Sequence, residues 1–340
     1  MLYVLILLLL ITFVLPIISK KVEENLEPFL FLIGIFAAIT SGVLSKDLFI
    51  NIFQNKFMYA IVAAVLIGGF LFKELTDHIN LVLTNVLKYI PLKIFVFLVI
   101  VFLGILSSVI TAIIASLFLV EIISMLPISK KNKININIIS CFSIGLGAVL
   151  TPIGEPLATI LVSKLNADFW FLFSEFGVYI IPGILILGIL GMLFAKEEKI
   201  QEEKGEEVIF KETNKTIVVR ALKILLFVIA LDLLGEGFKP IIDTYIIALD
   251  TRYLYWANMC SAVLDNATLA AAEVSVKMSE LQIKAVLMGL LISGGMMIPG
   301  NIPNIISAGK LKIKSNEWIK LGVPLGLFIM IIYYAILFVI

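Results

Sequence analysis

Residues 92–125 read LKIFVFLVIVFLGILSSVITAIIASLFLVEIISM, 34 residues with no charge between Lys93 and Glu121. A helix crosses a bilayer in about 20 residues, so the run is too long for one span and too short for two spans and a turn. Its middle holds the polar cluster Ser107-Ser108-Val109-Ile110-Thr111. A second stretch, 250–276, has 27 residues and the same form, with Ser261-Ala262-Val263-Leu264-Asp265-Asn266 in its middle. Backbone can leave the helix at membrane depth only where it is buried in protein or lines a cavity. Both stretches therefore read as re-entrant hairpins whose tips carry these clusters.

The surrounding chain fits that reading. Of its 340 residues 61% are hydrophobic and 15% charged, against roughly 45–50% and about 25% in soluble domains. A soluble enzyme, a nucleic-acid binder and a disordered chain are excluded. The apolar segments are 2–19, 28–44, 57–72, 92–125, 137–163, 169–195, 217–235, 250–276, 285–309 and 317–340. The first has no basic stretch before it and no small-residue cleavage site, so it reads as a span and not a removable signal. Positive residues favour cytoplasmic loops, and the 26 Lys and Arg choose between topologies. If both long stretches cross once, the two sides hold 14 and 12; if both return as hairpins, they hold 19 and 7. The second count gives eight spans, two hairpins, both termini outside, and a charged linker, 196–216, in the cytoplasm of a cell whose inner membrane holds the protein.

The two halves also echo each other. Ser107-Ser108-Val109-Ile110 matches Ser261-Ala262-Val263-Leu264, and Thr151-Pro152-Ile153-Gly154-Glu155-Pro156 answers Ile298-Pro299-Gly300-Asn301-Ile302-Pro303. The fold expected is an all-α polytopic membrane protein of two inverted-topology repeats, each with a re-entrant hairpin and a broken transmembrane helix. After two N-terminal helices in 1–56, the first repeat covers 57–195 (hairpin 92–125, broken helix 137–163). The second covers 217–340 (hairpin 250–276, broken helix 285–309). Inverted repeats with interrupted helices at matching positions point to a secondary transporter and to its binding site. Segment 74–91, with His78, reads as an interfacial helix. Cys141 and Cys260 fit no metal or disulfide pattern and read as small buried residues.

Ionisable groups deep in a bilayer are functional hypotheses by default. Asp265 sits at the tip of the second hairpin beside Asn266, and Glu155 sits where Pro152 and Pro156 must break the helix. Glu273 lies nearer the outer end of the second hairpin; Glu121 reads as interfacial, and Asp232 and Glu236 as residues of the outer boundary. No Lys or Arg falls at the centre of any apolar segment. Carboxylates, freed carbonyls, hydroxyls and amides form a hard-oxygen set that suits a small dehydrated cation. The expected ion-binding residues are Asp265, Asn266, Glu155, Thr151, Ser107, Thr111, Ser261, Thr268 and Asn301, with Asn304 as a further candidate. Asp265, Asn266 and Glu155 would contact a transported Na⁺ directly.

The strings Ser261-Ala262-Val263-Leu264-Asp265-Asn266-Ala267-Thr268 and Gly147-Ala148-Val149-Leu150-Thr151-Pro152-Ile153-Gly154-Glu155-Pro156 resemble motifs of the ion transporter superfamily. The likeness is greatest to its NhaD-type sodium/proton antiporters and arsenite permeases. The chain also resembles a prokaryotic family of cation/proton antiporter-like membrane proteins. That resemblance implies a homodimer held by a scaffold, with a moving transport unit. The sequence departs from the pattern where Thr111-Ala112 stands at the place of Asp265-Asn266, and Ile302 at the place of Glu155. The expected function is exchange of Na⁺ or Li⁺ for protons by alternating access, with no cofactor. The alternatives are a Na⁺- or proton-coupled carrier of an anion such as a dicarboxylate or arsenite, and an uncoupled channel. No Ser/His, Cys/His or HExxH set supports an enzyme.

Overall fold

The computed structural model describes every residue except 24, 55, 57, 60, 61, 64, 65, 68, 71, 72, 75–88, 166, 197–212, 242–244, 246, 247, 263–265 and 340. His78, most of the charged linker and Asp265 thus lie outside the described residues. What is described is helical, with no strand among the described residues. The N-terminal part holds α1 (Leu2–Ile18), the single turn α2 (Lys20–Glu23), α3 (Leu26–Ser41) and α4 (Lys46–Gln54). Next come α5 (Leu92–Ile110), α6 (Ala112–Met125), α7 (Lys130–Ala148), α8 (Pro156–Leu165) and α9 (Phe171–Met192). Then follow α10 (Asn214–Ile241), α11 (Thr251–Ala257), a 3₁₀ turn (Asn258–Ala262) and α12 (Asn266–Glu273). The chain ends with α13 (Glu280–Gly294), a 3₁₀ turn (Ile298–Gly300), α14 (Ile302–Leu311) and α15 (Ser315–Phe338).

Three of these helices, α5, α9 and α15, are long and apolar enough to cross a membrane. Each leaves large apolar side chains uncovered: Phe102 and Val109 on α5, Ile186 and Ile189 on α9, Phe328 and Ile331 on α15. Exposed apolar surface of this extent marks a face meant for lipid or a partner. Two other apolar runs of the sequence do not form single helices because the chain interrupts them. The run 137–163 is divided between α7 and α8, and 285–309 between α13 and α14. In the first interruption Pro156 opens α8, where its missing N–H is not needed. In the second, Asn301 caps α14 through Oδ1, which accepts from Ile302 N at 2.8 Å, and Pro303 follows.

Packing divides the described helices into two bodies of apolar contact. A small one joins α3, α4 and α10 through Ala38, Ile52, Ala221, Val228, Ile229 and Leu233. Here α3 and α10 approach closely, since Gly34 lies against Leu233 and Gly237 against Ala37. Such small-residue contacts let helix backbones meet where no hydrophobic effect drives them together. The larger body gathers side chains from α1, from the other faces of α3 and α10, and from α5 to α9 and α11 to α15. It interleaves the two halves of the sequence: α14 packs on α6 and α7, and α12 packs on α8.

One residue departs from its sequence expectation. Cys141 is buried, but Cys260 is exposed, because it lies on an outward face of the first 3₁₀ turn. Glu121, four residues from the end of α6, is buried against neighbouring helices.

Candidate functional site

The turn between α5 and α6 is a single residue, Thr111, with φ 78° and ψ 149°. That region is open to glycine and costs a β-branched residue on the order of 1–3 kcal/mol. The turn is held by the first helix interruption. Ala112 N donates to Gly154 O at 2.8 Å, and the Thr151 hydroxyl donates to Ser108 O at 2.5 Å. Thr159 Oγ1 donates to Pro152 O at 2.5 Å, so a carbonyl within the break is satisfied by the helix that follows. A Cβ on Gly154 would strike Ala148 O, and one on Gly147 would strike Gly104 O. Only glycine permits the chain to fold back on the end of α7 and α5 to cross it so closely.

The second interruption docks on the 3₁₀ turn Asn258–Ala262. A Cβ at Gly300 would stand 2.5 Å from both Gly294 O and Ser261 O. The Ser261 hydroxyl donates to Leu290 O at 3.3 Å, as Ser107 donates to Ile144 O at 3.0 Å in the first half. Asn304 Nδ2 donates to Gly294 O and Met297 O, each at 2.8 Å. Trp318 Nε1 closes the break from α15 by donating to Gly295 O at 3.1 Å.

The two interruptions adjoin. A Cβ on Gly145, one turn before the end of α7, would lie 2.6 Å from Asn301 Nδ2, and Gly295 abuts the Phe142 ring. Lys164 Nζ, near the end of α8, donates to Val274 O, just past α12, at 3.3 Å. The packed helices α8 and α12 therefore run in the same direction, with Glu155 and Asn266 at their starts. Both are buried, Glu155 at 3% exposed and Asn266 at 2%.

Ser107, Thr111, Thr151 and Glu155 thus gather at the first turn and break, and Ser261, Asn301 and Asn304 at the second. Asn266 opens α12 as Glu155 precedes α8, and the Thr268 side chain lies outside the described residues. The hydroxyl protons of Ser107, Thr151 and Ser261 are donated to backbone carbonyls. A hydroxyl bound in this way keeps its lone pairs for a cation, the only part a metal ion uses. Helix carbonyls at the ends of α5, α7 and α13 lack intrahelical acceptance by geometry, and they add negative dipole ends to the same region.

Two buried amides were not among the sequence candidates. Asn137 is fully buried in α7 and donates through Nδ2 to Ser307 Oγ at 2.9 Å. Asn258 is fully buried in the 3₁₀ turn before the second tip. In the sequence each stands between apolar residues, and the one available signal was an amide inside a membrane-length segment.

Towards the ends of the apolar segments the charges pair conventionally. Lys284 Nζ reaches Glu175 at 3.2 Å and also bonds Glu280. The hydrogen bond from Lys284, followed by its charge, holds the Glu280 carboxyl below its ordinary range, and the same bond raises Lys284. Lys133, half-buried at the start of α7, donates to Ser124 O at 2.7 Å and covers the end of α6; desolvation lowers its pKa.

No curated protein matches the sequence. A family described as protein of unknown function (DUF1646) matches residues 2–340. With the match running through both turns and both interruptions, the chain belongs to the DUF1646 family.

Proposed function

We propose that this protein is a secondary transporter that exchanges Na⁺ or Li⁺ for protons across the cell membrane. The observation that carries the reading is Glu155, a buried carboxylate at the helix interruption where α8 begins, on the helix that packs against α12, which Asn266 opens. No Lys or Arg occurs within the two turns or the two interruptions, so the fixed charge there is negative and a cation is the natural counter-charge. In this reading the α5–α6 pair and the segment 250–276 are re-entrant hairpins entering from opposite sides. The halves are inverted repeats, and Asp265 completes the centre with Glu155. Thr151, Ser107, Thr111, Ser261, Thr268, Asn266 and Asn301 supply neutral oxygens.

Burial disfavours an ionised carboxylate and a bound cation favours it. One site can therefore hold protons or Na⁺ in turn, and alternating exposure couples their movements. A homodimer built on the N-terminal helices and α10 is the corresponding assembly. The test is a reconstituted Asp265→Asn variant under an imposed pH gradient. Na⁺ uptake should be lost while the variant stays folded; exchange at the wild-type rate would refute the assignment. Protection of the wild-type protein by dicarboxylates or oxyanions, beyond that given by Na⁺ or Li⁺ alone, would favour an anion carrier in its place.

A further inference from the structure

Glu273, the last residue of α12, is not used by the centre just described. Its Oε2 is buried and has no hydrogen-bond partner. The group that faces it is the Asn258 amide. Asn258 is fully buried, and neither its Oδ1 nor its Nδ2 makes a hydrogen bond. The two side chains interact without an aligned hydrogen bond, so each keeps unsatisfied polar atoms directed at the other. Asn258 is held from behind, where its carbonyl accepts from Ser293 Oγ at 2.7 Å.

The residues after Glu273 open on water-sized space. Val274 and Ser275 line a cavity of about 740 Å³ at the seam between the two packing bodies, together with Lys164, Asp232 and Glu236. Asp232 and Glu236, read from the sequence as boundary residues, form its α10 wall. In the other direction α12 leads inward. Asn266 and Glu273 are seven residues apart, two helical turns, and share one face about 10 Å from end to end. Asn266 Nδ2 is also buried and unpartnered. Glu273 therefore stands between a cavity and the buried start of α12, with polar groups on the path.

We propose that Glu273, faced by Asn258, is a second proton-binding site, loaded from this cavity and distinct from the Glu155–Asp265 centre. As a part of exchange it rests on the antiport reading; as a binding site it does not. The carboxylate takes a proton from water in the cavity to become the neutral acid, and returns it by the reverse step. Asn258 suits both states, because an amide offers a donor to the carboxylate and an acceptor to the acid. A lysine in its place would hold the group ionised. The other charged or titratable groups around Glu273 are the Cys260 thiol, which feels the charge of the carboxylate, Lys164 bonded to the next carbonyl, and Asp232 and Glu236 across the cavity. Glu236 is paired with Lys239 at 3.5 Å. From α13, residues 285–294 bring no charge.

The experiment is a pH titration of the reconstituted full chain by difference infrared spectroscopy, beside proton flux driven by Na⁺. Wild type should show a carboxylic-acid carbonyl band that is absent in Glu273→Gln. Asn258→Leu, which keeps the carboxyl, should retain the band with its midpoint moved by about one pH unit or more. Glu273→Gln should also displace the pH profile of exchange while Na⁺ still raises the melting temperature. An unchanged band set in Glu273→Gln, or an unmoved midpoint in Asn258→Leu, overturns the proposal. A band that titrates and is lost in Glu273→Gln, in a protein that shows no cation exchange, upholds this site and defeats the antiport reading alone.

Discussion

The two turn-and-break regions are built to one plan and filled differently. In the first, Thr151, Thr159 and Ser107 all bond to backbone, glycines remove every gap between α5 and α7, and the only side-chain charge is Glu155. In the second, amides predominate, namely Asn301, Asn304 and Asn258, and a tryptophan from α15 reaches in to satisfy Gly295. The first region is closed by backbone contacts that side chains merely fasten. The second is held by side-chain hydrogen bonds of Asn301, Asn304 and Trp318. The proposed exchange would use both, a fixed frame and side-chain groups set against it.

The comparison breaks most sharply at Gly147 and Gly294, which stand at matching places in the halves. Gly147→Ala drives a methyl into the Gly104 carbonyl, so the helices must part. The expected loss exceeds about 3 kcal/mol, read as failure to yield a monodisperse protein. At Gly294 the nearest atom to a Cβ, Gly300 O, is 3.0 Å away, and Gly294→Ala should cost about 1 kcal/mol in a denaturation assay. Equal losses would mean that the two regions are equally rigid.

Thr111→Gly comes next. It relieves a backbone held in glycine's region, so stability should rise by about 1–2 kcal/mol. Exchange should fall at the same time, because the turn no longer holds its geometry; a stability loss would show that the Thr111 conformation is unstrained. Trp318→Phe removes one hydrogen bond from the second break while keeping a ring in place. A loss of about 1 kcal/mol is expected by chemical denaturation, and the first region should not respond.

The smallest effect lies outside both regions. Glu280 is held below its ordinary value of 4.5 by Lys284, so the pair's contribution is present above that value and fades as pH falls through the depressed one. Lys284, raised above 10.5, keeps its part at neutral pH and loses it only as pH climbs past the raised value. Glu280→Gln should lower the melting temperature slightly at pH 7 and leave it unchanged once the pH is below the depressed value.

What could be read in advance follows from how each residue acts. Two prolines with a glycine between them, at 152–156 and at 299–303, disfavour a continuous helix more than the single Pro182 and Pro324 that α9 and α15 absorb, so both interruptions were legible. The turn at Thr111 was legible from length alone. Asn258 was not, since its importance comes from burial against α13 and from facing Glu273, which tertiary packing creates. Cys260 misled for the same reason: an apolar segment has an outside, and composition does not say which residues face it. The burial of Glu121, four residues from the end of α6, was not legible either, because it comes from the helices that cover most of α6.

One consequence of the Trp318 bond to Gly295 is optical. Of the three tryptophans, Trp170 is exposed, Trp256 is half-buried, and Trp318 is fully enclosed. Its indole N–H is anchored to the residue at which the second helix stops. Any displacement of that junction changes the polarity around the indole. The wavelength of its emission is thus a native gauge of the second break, readable without a label while Na⁺ or acid is added.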